Sequence, residues 1–449
     1  MGAFGYRSAG GGTLLSTPIG RLGFQLDGEK AENDYPFVFD NVTTREHRRR
    51  TWAQTQSWTP AVRWMTPDRL KVGSGELGIR GHYAQRQLPG ATLLYTVREG
   101  ERMDDDETAV HGKWQLRRKT WQWKMAAQAM FHQKRYEDRD RQYPGGVRQD
   151  DYRQREYWFS TGVEHQISVH WQWAYAVDAT WAILHQTGQA EREVGRISLQ
   201  QALSLRYHRA RGSATLRLLR HDFFNTARNT DPTNLGTANN VGSFGLQGTA
   251  HAFLWRTPGT RVSLRATAQS TFRPPTFAEN YYFRYGNTQL RNERAQRLNF
   301  GIVGAYAVGL WQVQASADAF IDKISDGIVA VPLTPAIWRT ENLDQVRASG
   351  LDVTANVRYT RENRTTIAAT GHWLLCRTLD RSTPHSRSYN LTLPYRPTHQ
   401  GYFAVEAAHG ALGLSTSLVY TGERWSTPQH LAVSHLPAFA EWNAALWWK

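Results

Sequence analysis

Trp171-Gln172-Trp173-Ala174-Tyr175-Ala176-Val177-Asp178-Ala179-Thr180-Trp181-Ala182-Ile183 reads differently on its two faces. The odd positions carry Trp171, Trp173, Tyr175, Val177, Ala179, Trp181 and Ile183, whereas the even ones include Gln172, Asp178 and Thr180. A period of two places alternate side chains on opposite sides of a β-strand. The pattern recurs at Trp121, Trp123, Met125, Ala127, Ala129 and Phe131, which alternate with Gln122, Lys124 and Gln128. Leu351, Val353, Ala355, Val357 and Tyr359 alternate with Asp352, Thr354, Asn356 and Arg358, and Leu412 to Tyr420 gives a further case.

The aromatic residues on these faces also have a spacing. Trp171 and Trp181 stand ten residues apart, as do Trp121 and Phe131, with small or aliphatic residues between them. Ten residues at about 3.3 Å each, tilted by about 45°, span roughly 23 Å of membrane normal, close to the ~25 Å apolar band between aromatic girdles. A soluble sandwich has no reason to place Trp at both ends of an outward face. Composition agrees: 18 Trp, 19 Tyr and 17 Phe accompany a mean hydropathy of −0.59, the mixture expected of a wall greasy on one side and wet on the other. The connections should alternate too, tight at 16–20 and 308–310, long and polar at 29–51, 136–155 and 225–240. The fold class read from these features is all-β, a transmembrane antiparallel β-barrel forming one domain over residues 1–449.

Several classes are excluded. Cys376 is the only cysteine, so neither an intrachain disulfide nor a cysteine-based zinc site can form. No run approaches 18 uncharged apolar residues, so no transmembrane helix is expected, which does not count against a barrel. The formal charge of +15 is dispersed, with Arg48-Arg49-Arg50 and Arg117-Arg118-Lys119 the only dense runs. Such runs suit strand ends, loops or lipopolysaccharide phosphates better than nucleic acid. There is no G-x-S-x-G, H-E-x-x-H or Gly-rich phosphate loop, and no enzyme is expected. The start, Met1-Gly2-Ala3-Phe4-Gly5-Tyr6-Arg7, lacks signal-peptide anatomy.

Phe272-Arg273-Pro274-Pro275-Thr276-Phe277-Ala278-Glu279-Asn280-Tyr281-Tyr282, followed by Tyr285-Gly286-Asn287-Thr288-Gln289-Leu290, resembles a signature of the TonB-dependent outer-membrane receptors. That family carries an F-[RK]-[AP]-P element, a Tyr-rich loop and G-N-P-N-L. Phe272, Arg273, Pro274, Pro275, Gly286 and Leu290 match it, while Thr288 and Gln289 replace the usual Pro and Asn. Further landmarks follow the family's order: Asn33-Asp34-Tyr35-Pro36-Phe37, Ile324-Ser325-Asp326-Gly327-Ile328, Arg347-Ala348-Ser349-Gly350-Leu351-Asp352, Pro394-Tyr395-Arg396-Pro397, Tyr420-Thr421-Gly422-Glu423-Arg424-Trp425 and Leu436-Pro437-Ala438-Phe439.

The resemblance, nearest to the cobalamin and siderophore receptors, implies about 19 of an expected 22 strands. The first strand, the last two strands and the plug domain would then lie outside the chain. It implies an outer-membrane receptor for TonB-energised uptake of a scarce small nutrient such as a siderophore or cobalamin. TonB would act only through the plug, and the wall would meet outer-membrane lipid and lipopolysaccharide. Tyr281, Tyr282, Arg284, Tyr285 and Asn287 are the candidate ligand-binding residues, either lining a ligand cup or belonging to the outer aromatic girdle. Asp104, Asp105 and Asp106 are candidate calcium ligands, the alternative being a solvated loop tip. No other cofactor is expected, and haem is disfavoured because residues 276–286 hold no His. The rival readings are a passive plugless pore and a soluble β-rich binding protein.

Overall fold

A computed structural model describes residues 3–448, apart from 41–44, 67–72, 89–91, 94–95, 98–100, 140–146, 189–190, 230–235, 283–284, 335–336 and 362–364. Nineteen strands form one antiparallel sheet in which each pairs with its neighbours in sequence. In chain order they are β1 (Ala3–Thr17), β2 (Gly20–Asp40), β3 (Arg45–Met65), β4 (Ser74–Leu88), β5 (Glu101–Arg117), β6 (Trp121–Asp138) and β7 (Arg148–Gln166). There follow β8 (Trp171–Thr187), β9 (Arg192–Arg209), β10 (Gly212–Asn229), β11 (Val241–Arg256), β12 (Thr260–Arg273) and β13 (Glu293–Val308). The last six are β14 (Trp311–Thr334), β15 (Ile337–Arg361), β16 (Thr365–Asp380), β17 (His399–His409), β18 (Leu412–Thr421) and β19 (Phe439–Trp448). The strand number is the one that the family resemblance implies.

Register carries the alternation from strand to strand, because directly opposed residues share a face. Trp181 opposes Ile197, which opposes Phe224, and all three are exposed. Leu205, Leu216, Leu298 and Phe300 continue the same outward surface. Facing water, each such side chain would forgo about 1.5–3 kcal/mol of burial, and so large an apolar surface belongs against lipid. A soluble binding protein is therefore a poor fit. The inward face holds polar pairs instead: Glu76 meets Lys113 at 2.7 Å and Arg63 at 3.3 Å, and Lys124 meets Glu164 at 2.5 Å. No helix among the described residues is long and apolar enough to cross a membrane; the crossing elements are strands.

The two ends of the sheet differ. At one, the turns are 18–19, 118–120, 167–170, 210–211, 257–259, 309–310 and 410–411. Gly309 and Gly410 both sit at φ +60°, where a side chain would be strained. At the other end, among the described residues, lie 236–240, 274–282, 285–292, 381–398 and 422–438. Three expected loops are shorter than the sequence suggested. Residues 29–51 are mostly strand, since β2 runs to Asp40 and β3 starts at Arg45; 136–155 narrows to 139–147, and 225–240 to 230–240. Beyond the bilayer both faces are wet, so the ladder continues without the apolar alternation that would reveal it.

Candidate functional site

The connection 274–292 folds back onto the inner wall at the long-loop end. Pro274 and Pro275 lack backbone N–H groups and stop β12. Thr276 then caps a one-turn helix, α1 (Phe277–Tyr281), in a capping box: Glu279 N donates to Thr276 Oγ1 at 3.2 Å, and Thr276 N donates to Glu279 Oε2 at 2.7 Å. Arg273 Nη1 reaches the same carboxylate at 2.8 Å and Arg273 Nη2 reaches Glu293 at 3.5 Å. Burial pushes the Glu279 carboxyl up, but hydrogen bonds from Arg273 and Thr276 outweigh it and hold the group below its ordinary value.

Phe277 and Tyr281 bury against Tyr152 of β7, Ala182 and Leu184 of β8, Val194 of β9 and Ala238. Strand guanidinium groups satisfy the backbone of the connection. Arg196 Nη1 donates to the Pro275 carbonyl at 2.7 Å and Arg192 Nη1 to the Tyr281 carbonyl at 3.3 Å. Ala238 N donates to Tyr281 Oη at 3.1 Å. On the far side, Thr340 of β15 donates through Oγ1 to the carbonyls of Glu279 at 2.8 Å and Tyr285 at 2.9 Å. Asn287 Nδ2 donates to Thr340 O at 3.1 Å. At Gly286 a Cβ would fall 2.6 Å from Tyr281 N and 2.7 Å from Asn280 O, so only glycine fits. The connection is thus a strut, fastened to β7–β9 at one end and to β15 at the other.

The sequence profile of the family described as TonB dependent receptor-like, beta-barrel matches residues 19–449. The chain belongs to that family. Its fold is similar to the copper transporter OprC (TM-score 0.69, 12% identity, covering 98% of this chain and 72% of that one). It is also similar to the ferric citrate transporter FecA in its unliganded form (0.68, 11% identity, 99% and 70%). The ferric yersiniabactin uptake receptor FyuA from Yersinia pestis gives 0.65 at 11% identity, covering 100% and 72%. No curated relative matches at the level of sequence. Family members are outer-membrane transporters of Gram-negative bacteria, not enzymes. In a receptor barrel of this kind the tight turns are periplasmic and the long connections face outward. The strut therefore lies in the outer mouth.

Within this receptor barrel the expected ligand residues have different surroundings. Tyr281 is 1% exposed and anchors the strut, so it lies neither on an open cup nor in the outer girdle. Tyr282 is partly buried and stacks on Tyr152, with ring centroids 4.1 Å apart at 24°. Tyr285 is also partly buried, and burial raises the phenol pKa of both Tyr282 and Tyr285. Asn287 fastens the strut, and Leu290 is buried beneath it. Arg284 lies outside the described residues. Tyr152, Arg192, Arg196 and Thr340 complete the site and escaped sequence reasoning. Arg192 and Arg196 share the inward face of β9, a usable signal, but nothing in the sequence says what covers them.

Asp104, Asp105 and Asp106 do not form the loop tip expected of them. They lie inside β5, where alternation puts Asp105 on the opposite face from Asp104 and Asp106. Asp105 meets His132 and, at 3.8 Å, Lys134 on the inner wall, while Asp104 accepts from Arg102 Nε at 2.9 Å. Among the described residues no group of three His, Cys, Asp or Glu side chains is placed to hold a metal ion.

Proposed function

We propose that this wall serves TonB-energised import of a scarce, metal-bearing small nutrient, a siderophore complex, a cobalamin or similar, which is received at the outer mouth. The observation that carries the reading is the strut. It holds Tyr282 and Tyr285, both partly exposed, on a backbone fixed from two sides. Aromatic faces on a rigid mount suit a bulky, partly apolar ligand because little order is lost on contact. The copper, ferric citrate and ferric yersiniabactin cargoes named for the structural neighbours support the cargo class. Energy from TonB would enter through a plug held inside the wall, whose polar inner face suits a hydrated protein surface. The test is uptake by whole cells expressing the receptor, supplied with radiolabelled ferric siderophores and cobalamin. Import that stops when the proton-motive force is collapsed supports the reading. Import indifferent to it would assign a passive pore instead.

A further inference from the structure

The inward face of β9–β12 carries charge of one sign only. Arginines stand on it from the strut down to the periplasmic turns, whereas the carboxylates of these strands, Glu193 and Asp222, point outward with Ile197 and Phe224. Part of this charge is already engaged. Arg192 and Arg196 hold carbonyls of the strut, Arg265 pairs with Asp318, and Arg273 pairs with Glu279 and Glu293. Arg206, Arg217, Arg256 and Arg261 are exposed to the lumen and, among the described residues, meet no carboxylate. Arg217 reaches only the amide of Gln247, at 3.4 Å.

These last arginines stand in two like-charge pairs. Arg256 lies directly opposite Arg261 across the β11–β12 hairpin, and Arg217 stands two residues from Thr215, the position opposite Arg206. Like charges opposite one another destabilise a sheet, and diagonal neighbours lie within reach of long side chains, so each pair favours an anion between its members. Their height separates them from the mouth. Asn225 of β10 accepts from Arg196 Nε at 2.7 Å, and Arg217 lies eight residues further down the same strand. At about 3.3 Å per residue and about 45° of tilt that is roughly 19 Å, which makes them a station separate from the strut. Between the two levels His221 opposes Ser243 on the same face, and His221 Nε2 and Ser243 Oγ are buried without a hydrogen-bond partner. The wall thus offers unsatisfied polar groups and then unpaired cations in one descending file.

We infer that this file is the route by which cargo leaves the mouth for the periplasm, and that the cargo is an anionic metal complex, one whose carboxylate or other acidic chelating groups outweigh the charge of its metal. Arg206, Arg217, Arg256 and Arg261 receive those groups in turn. A wall of one sign concentrates ions of the other, and guanidinium forks fit carboxylates in bidentate fashion. Exposure keeps each contact weak enough to release, since ion pairs in water contribute little. The inference rests on the import reading and deepens it, because a neutral cobalamin or a cationic chelate gains nothing from such a wall. A plug presenting carboxylates to this sector would satisfy the same groups, and the experiment separates the two sources.

The test supplies cells expressing the full-length receptor with radiolabelled ferric citrate, an anion, ferrioxamine, a cation, and cobalamin. Import driven by the proton-motive force should favour ferric citrate. The double variants Arg206→Gln/Arg217→Gln and Arg256→Gln/Arg261→Gln should each slow that import about tenfold. Ferric citrate bound by de-energised cells should be unchanged in both, because the strut is untouched, and heat-modifiable migration on a gel reports that each variant is folded. Preferred import of ferrioxamine or cobalamin, or full import of ferric citrate by both variants, would overturn the inference. Variants that admit vancomycin and take up all three compounds without a proton-motive force would assign the arginines to holding a plug, and overturn it as well. Import of none of the compounds by the unaltered receptor, or import indifferent to the proton-motive force, counts against the import reading itself.

Discussion

Arg196 of β9 donates through Nη1 to the carbonyl of Pro275 at 2.7 Å, joining residues 79 apart in sequence. The same guanidinium lies 5.1 Å from the centre of the Phe277 ring. One side chain thus satisfies the carbonyl that precedes α1 and covers the first aromatic residue of the helix.

Replacing Arg196 with Ala should release the strut. A hydrogen bond from a charged donor contributes about 1.5–3 kcal/mol, and the carbonyl would lose its partner. Amide exchange across 274–292 should rise by one to two orders of magnitude while the heat-modifiable band persists. Unchanged exchange at α1 would mean that the buried Phe277 and Tyr281 hold the strut unaided.

The pH dependence follows from Glu279. Its folded carboxyl lies below the ordinary value of 4.5, so the stabilisation is present above that pH and disappears as the pH falls through the lower, folded value. Amide exchange across α1, corrected for its intrinsic pH dependence, should therefore accelerate only below about pH 4.5. Glu279→Gln should exchange faster at neutral pH and lose the acid step. An acid step of equal size in both proteins would place the responsible carboxylate elsewhere.

Val177 and Asp178 are neighbours on opposite faces of β8, and arginine should be tolerated very differently at the two. On the lipid face near mid-bilayer it costs about 2–4 kcal/mol, whereas the lumen is wet. Urea titration of the barrel in liposomes would measure this. Similar penalties at the two positions would contradict the assignment of faces.

For the mouth, Tyr282→Ala/Tyr285→Ala should weaken ligand binding roughly fivefold, in keeping with about 1 kcal/mol for an aromatic contact. The strut should stay protected from trypsin. Tyr281→Ala should do the reverse first, exposing 274–292 to cleavage because a fully buried aromatic costs about 3–5 kcal/mol to remove. Isothermal calorimetry with the transported ligand distinguishes the two; a double variant with full affinity would reduce Tyr282 and Tyr285 to supports.

How far the sequence could be read depended on whether one face of a segment was dry. Between Trp171 and Trp181 lipid on one side and water on the other enforce strict alternation, and the strand, its orientation and its length all follow from it. Toward the long-connection ends of β2, β3, β6 and β7 both sides are wet, the alternation lapses, and the strand boundaries within 29–51 and 136–155 do not show in the sequence. Asp104-Asp105-Asp106 looked like a loop for the same reason, since nothing local reveals that Asp105 has His132 and Lys134 opposite it on β6.

The sequence by itself determined the barrel and the lipid-facing residues, because period-two patterning acts within a few residues, and resemblance to a family signature singled out 272–290. Only the tertiary structure decided that Tyr281 is an anchor, that Arg192 and Arg196 hold the loop and that Thr340 fastens its far side. Each of those relationships joins residues from different strands, and register, set by the whole ladder of backbone hydrogen bonds, is what brings them together.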